Sequence, residues 1–182
     1  TLSDGSLTTT SSVTVTLVQT ISGISVSPGS ASLNLNGTRA LSATAYDQFG
    51  AAMSTQTTFT WSRTSGVGNV NSSGLYSAGT TAGSATITAS ASGISGSAAM
   101  TVTNAAPTIA TPAAGPSTVT GNSATLTVLG ADDGGEAGLT YSWSLTSGPT
   151  GGTPSLSVNG TNGAKSTVVT FNRAGSYTFL VT

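Results

Sequence analysis

Tyr177-Thr-Phe-Leu-Val-Thr182 ends the chain, and Ser12-Val-Thr-Val-Thr-Leu17 stands near its beginning. Both alternate apolar with polar residues, the period-2 pattern of a strand that buries one face. Tyr177, Phe179 and Val181 make the apolar face of the first run; Val13, Val15 and Leu17, with Leu7 upstream, make that of the second. Read tail to head, Ser3-Asp-Gly-Ser6 lies between them, and Asp-Gly flanked by alternating runs is among the strongest short hairpin signals. The two ends therefore read as halves of one hairpin. On that reading a C-terminal domain lacks its last strand and is completed by residues 1–19 of the following copy. Without an initiator Met or export signal at its start, the chain reads as an interior piece of a longer array or as a self-joining subunit.

Composition narrows the function. Charged residues are 5% of the chain, against about 25% in ordinary globular proteins, and the formal net charge is −1. No electrostatic field is available to recruit nucleic acid or anionic lipid, so nucleic acid is excluded as a partner. Serine and threonine hydroxyls wet the surface instead. They let one surface pack on another without desolvating ions. Cysteine is absent, which removes disulfides and thiolate metal sites. No apolar run approaches the ~18 residues of a membrane span, so no membrane insertion is expected.

The rest of the chain alternates in the same way and shows almost no helical periodicity. Residues 20–103 divide into about seven short strands with turn signals every ~8–12 residues, an immunoglobulin-like sandwich pattern. Asn104-Ala-Ala-Pro107 is a short linker with a proline stop, and residues 104–182 form a second module with one strand fewer. The fold class expected is all-β: two tandem Ig-like sandwiches, the second completed by the N-terminal strand of a neighbouring copy. Trp61 and Trp143 each fall in the third main strand of a module. Both read as core residues bridging two sheets, with a sugar-stacking platform as the competing reading.

Residues 21–103 resemble the group 2 bacterial Ig-like domains of surface adhesins and secreted enzymes. The resemblance rests on Ile24-Ser-Val-Ser-Pro28, Leu41-Ser-Ala-Thr-Ala45, Asp47-Gln-Phe-Gly50, Phe59-Thr-Trp61, Gly74-Leu-Tyr76 and Ala82-Gly-Ser-Ala-Thr-Ile-Thr-Ala89. Residues 107–182, completed by residues 1–18, look like a PKD-type or cadherin-like Ig-fold module. There the matching residues are Val128-Leu-Gly-Ala-Asp-Asp-Gly-Gly-Glu136, Leu139-Thr-Tyr-Ser-Trp143, Ala174-Gly-Ser-Tyr177 and Ser3-Asp-Gly-Ser6. Both resemblances imply extracellular stalks, spacers and adhesive repeats, and neither implies an enzyme.

Catalytic chemistry has little to work with. Without His or Cys, the common nucleophile–base pairs cannot be built. Lys165 follows a glycine-containing turn and reads as exposed and solvated; a lysine–asparagine cross-link would need it buried beside an acid. Asp132, Asp133 and Glu136 form the one acidic cluster. They offer the hard oxygens that Ca²⁺ takes from a turn, so calcium is the cofactor to test. The competing reading is a solvated turn whose aspartates cap backbone N–H groups. Asn36, Asn71 and Asn159 head glycosylation-type triplets, which Asn-Gly turns also explain at two of the three. The expectation is a non-enzymatic, secreted or cell-surface structural unit whose partner is another copy of itself, joined head to tail. The alternative is a carbohydrate-binding or spacer module of a secreted polysaccharide-degrading enzyme or an adhesin, with surface glycans as partners.

Overall fold

The computed structural model describes residues 1–182, and apart from two short 3-10 turns its regular structure is all strand. A small hairpin comes first, β1 (Leu2–Ser3) against β2 (Thr8–Thr9). The first sandwich contains β3 (Ile21–Ser27), β4 (Ser30–Asn34), β5 (Thr38–Ala40), β6 (Ser42–Asp47) and β7 (Thr60–Gly66). Its remaining strands are β8 (Asn69–Val70), β9 (Leu75–Ser77), β10 (Gly83–Ala91) and β11 (Ile94–Thr103). The second contains β12 (Thr108–Ala114), β13 (Ser123–Ala131), β14 (Trp143–Ser147), β15 (Ser155–Leu156), β16 (Ser166–Thr170) and β17 (Thr178–Val181). The chain is two tandem Ig-like β-sandwiches.

In the first sandwich one layer runs β4-β11-β10-β7, faced by β3-β6 and β5-β9-β8. The alternation in the sequence becomes alternation in burial: Ala98, Met100 and Val102 of β11 are buried while the residues between them are exposed. They meet Ala85, Ile87 and Ala89 of β10, with Tyr76, Leu41 and Val26 from the facing layer. Removing such side chains from water at ~25 cal/mol per Å² is what holds the two layers together.

The second sandwich has the layer β12-β13-β16-β15, faced by the pair β14-β17 alone. Its core is smaller, gathered around Val128, Tyr141, Trp143 and Ala164, with Phe179 and Val181 packed against it. Trp143 is buried, and its indole N–H donates to the Ala164 carbonyl at 2.8 Å, as a buried indole requires. Tyr177 opens the last strand. Its hydroxyl donates to the Arg173 carbonyl at 2.9 Å, and its ring lies 4.7 Å from that of Phe171. A tyrosine bonded to the backbone just upstream, at this corner, is a feature of Ig-like sandwiches.

Three readings of the sequence need correcting. Trp61 is half-buried rather than enclosed, because it closes the side of the core against Gly74. Lys165 is not freely solvated: it is half-buried and ion-paired. Residues 8–18 do not form one strand within this chain. Only Thr8–Thr9 join a ladder, with Leu2–Ser3 of the same hairpin, while Leu7, Val13, Val15 and Leu17 are 69–86% exposed.

Truncating Trp143 to Ala should cost about 3–5 kcal/mol, the usual range for an aromatic removed from a core, and Trp61→Ala should cost less. Urea unfolding of both variants measures the difference; equal costs would contradict the burial of the two indoles.

Candidate functional site

The two sandwiches contain the same strand pair, and comparing its surroundings locates the site. Ala82-Gly-Ser-Ala-Thr-Ile-Thr-Ala89 and Ala174-Gly-Ser-Tyr-Thr-Phe-Leu-Val181 match in sequence. Gly83 and Gly175 have the same positive φ, +151° and +149°, a region favouring glycine. Ala89 pairs with Trp61 and Val181 with Trp143, so β10 and β17 are equivalent, as are β7 and β14. β10 lies between β7 and β11, and β11 in turn pairs with β4. β17 has β14 on one side, and its other edge faces solvent.

Beside that edge lies an open groove of about 810 Å³. Val119, Ala124, Leu126, Phe171, Tyr177 and Phe179 contribute its apolar lining. An unpaired strand edge next to apolar side chains favours the addition of another strand. The acceptor residues named from the sequence are half-buried, Phe179 and Val181 on this strand and Tyr177 just before it, and Tyr177 and Phe179 line the groove. The donor residues Leu7, Val13, Val15 and Leu17 lie outside it, exposed at the far end of the chain.

A second feature joins the sandwiches to each other. The loop after β13 carries Asp133, whose Oδ2 accepts the Leu35 N–H at 2.8 Å and whose Oδ1 accepts the Ala105 N–H at 3.1 Å. Asn36 Nδ2 donates to the Asp133 carbonyl at 2.7 Å. One residue thus holds the linker and the turn after β4 together. Carboxylate–amide bonds of this kind are about twice as strong as neutral ones. No local pattern in the sequence reveals it, because the partners lie 98 and 97 residues away.

The three acidic residues do not converge. Asp132 Oδ1 accepts the Gly134 N–H within its own turn, and Asp133 faces the first sandwich. Glu136 turns to Lys165, whose ammonium lies 3.0 Å from Oε2. Asn162 Nδ2 and the Tyr141 hydroxyl also donate to Glu136 Oε1, each at 3.0 Å. The Lys165 ammonium, the largest influence, holds the Glu136 carboxyl below its ordinary value with help from these two donors, against an opposing effect of burial that exceeds either donor's. No three His, Cys, Asp or Glu side chains lie together in metal-binding array. Lys165 also donates to Asn162 Oδ1 at 3.1 Å, one turn away on the same 3-10 segment, so a bond there would tie no two strands.

At the glycosylation-type triplets, the amide nitrogens of Asn36 and Asn159 are already donating, to Asp133 and Trp143. No helix is long and apolar enough to cross a membrane.

No protein-family model and no curated protein sequence matches the chain. Among solved structures it is similar to the S-layer protein SbsC. Against SbsC domains 4 and 5 the identity is 24% and the TM-score 0.39, over 89% of this chain and 92% of that one. Against a longer SbsC structure the values are 22% and 0.42, over 90% of this chain but 27% of that one. The adhesin InvE of Yersinia pseudotuberculosis aligns at 15% identity and TM-score 0.32, over 81% of this chain and 50% of that one. This chain thus spans about a quarter of the longer SbsC structure and half of InvE.

Two outcomes test this geometry. Asp133→Ala removes both carboxylate bonds and should cost roughly 2–4 kcal/mol, while small-angle scattering registers a wider spread of inter-sandwich distances; an unchanged scattering curve would show that Asp133 is not the clasp. The Glu136 pair, partly exposed and so weak, should make its small contribution above the ordinary carboxylate range and lose it as the pH falls through that range and below it, to the lowered value. Thermal melts across that range should fall less steeply for Glu136→Gln than for the parent chain.

Proposed function

We propose that this chain is a non-enzymatic, extracellular structural unit whose copies join head to tail into a filament or surface stalk. The joint is a strand: residues 8–17 of one copy pair antiparallel with β17 of the preceding copy and complete its second sandwich. The first sandwich is read as a group 2 bacterial Ig-like domain and the second as a PKD- or cadherin-like one. The partner is another copy of this unit, held covalently in tandem or as a separate subunit.

One observation carries the proposal. β11, the strand that occupies the matching edge in the first sandwich, ends in Met100-Thr-Val-Thr103, and the N-terminal segment contains Val13-Thr-Val-Thr16. Val102 stands six residues before Thr108, the start of β12; Val15 stands six residues before Ile21, the start of β3. The N-terminal segment therefore relates to the first sandwich as β11 relates to the second. Met100 pairs with Ala85 and Val102 with Gly83. Carried across, that register sets Val13 opposite Tyr177 and Val15 opposite Gly175, with both valines turned into the groove. Hydrophobic alternation is what sets strand register, and here it agrees with the transferred one. A carbohydrate platform finds less support: Phe49 is the one exposed aromatic side chain, and a sugar-binding row needs several.

Sedimentation over a range of concentrations should show the chain forming a ladder of oligomers. Val15→Asp should leave the monomer folded, since Val15 is 83% exposed within one chain, yet abolish joining by burying an unpaired charge. A synthetic peptide of residues 7–18 should occupy β17 and cap the oligomers. A chain that stays monomeric and binds no peptide would falsify the proposal.

A further inference from the structure

The clasp between the two sandwiches has a counterpart at the front of the chain, and that counterpart faces nothing in a single copy. The loop after β6 is Asp47-Gln-Phe-Gly50; the loop after β13 is Asp132-Asp-Gly-Gly135. Their geometry is the same. In each, the first aspartate accepts the N–H two residues on, Phe49 or Gly134, at 3.0 and 2.8 Å. In each, the fourth residue is a glycine of positive φ, +77° and +98°, whose N–H donates back to the aspartate carbonyl at 2.9 and 3.0 Å.

The second residue of each loop holds the linker in front of its sandwich. Asp133 accepts from Ala105; Gln48 accepts from the Thr20 N–H at 2.9 Å and donates to the Val18 carbonyl at 3.0 Å. In the second sandwich this same loop meets the module ahead. Asp133 takes the Leu35 N–H, and a Cβ on Gly134 would lie 3.3 Å from Leu35 Cδ1. The second position of the loop thus bonds to the preceding module, and the third lies close beside it. In the first sandwich that third position is Phe49, 70% exposed. It is the one exposed aromatic side chain of the chain, and its ring offers a large apolar face for packing against another module.

We infer that Phe49 packs against the segment 115–122 of the preceding copy. That segment joins β12 to β13 as the turn carrying Leu35 and Asn36 joins β4 to the strands that follow it. It also brings Val119 to the mouth of the groove that residues 8–17 enter. The inference rests on the head-to-tail reading and adds a second contact to it. Strand insertion makes the joint, and Phe49 sets the angle at which the next copy leaves. The joint inside the chain is a carboxylate clasp; the joint between copies is an apolar one.

The test uses the full chain with the photoreactive residue p-benzoylphenylalanine in place of Phe49. Irradiated oligomers should yield a covalent dimer whose cross-linked peptide includes residues 115–122 of the other copy. The same substitution in a Val15→Asp background should yield none, since those chains no longer meet. In parallel, Phe49→Ser should weaken association by about tenfold or more, and Phe49→Leu should restore most of it. Oligomers that form normally but cross-link elsewhere, or that ignore Phe49→Ser, overturn the Phe49 contact and leave strand insertion standing. A parent chain that does not associate overturns both.

Discussion

A β-strand in water has to satisfy two edges and bury one face, and in this protein both demands meet at one ladder. The strand that carries the tryptophan pairs with the strand that follows a positive-φ glycine: β7 with β10, β14 with β17. That ladder turns Trp61 or Trp143 toward the core and aims the later strand's apolar residues across it. Everything else is arranged around this pair. The facing layer covers it, and in the first sandwich β11 closes its far edge.

The strands themselves were largely legible, because period-2 alternation is a local property and burial follows it residue by residue. β10 and β11 alternate in burial as their sequences alternate in polarity. Boundaries shifted where tertiary bonds intervened. The run from residue 139 begins its ladder only at Trp143, since Leu139 closes a 3-10 turn and Tyr141 makes a single bridge with Thr161. The alternating run from Arg39 to Tyr46 breaks at Leu41 into β5 and β6, because the Leu41 N–H is taken by the Gly74 carbonyl. What could not be read were the pairings between distant polar groups. Asp133 with Leu35 and Glu136 with Lys165 depend on folds already formed around them, and nothing in the neighbouring residues announces them. The segment around Val15 is the opposite case: its alternation is plain, yet within one chain it joins no ladder and its valines stay exposed.

Scarcity of charge ties these features together. Apart from Asp132 Oδ2, which has no partner, the buried polar side chains are met by an amide, a hydroxyl or a backbone group more often than by an opposite charge; the chain has a single ion pair. Asn159 shows the economy of this. Its side-chain amide accepts from the Trp143 N–H and donates to the Trp143 carbonyl, doing for that strand what a neighbouring backbone would do. Neutral bonds of this sort respond little to salt.

The direction of one ladder carries a mechanical consequence. β4 runs parallel to β11, with Ser30 to Asn34 beside Ala99 to Thr103, whereas the other ladders of the molecule are antiparallel. Tension applied along the chain enters the first sandwich through β3 and β4 and leaves through β11. Two parallel neighbours pulled from opposite ends slide past each other, so their hydrogen bonds carry the load together instead of opening one after another. Under force the lifetime of such a domain is governed by its unfolding rate rather than by its equilibrium stability. A module with a thin core and few charges can in this way still be a strong link.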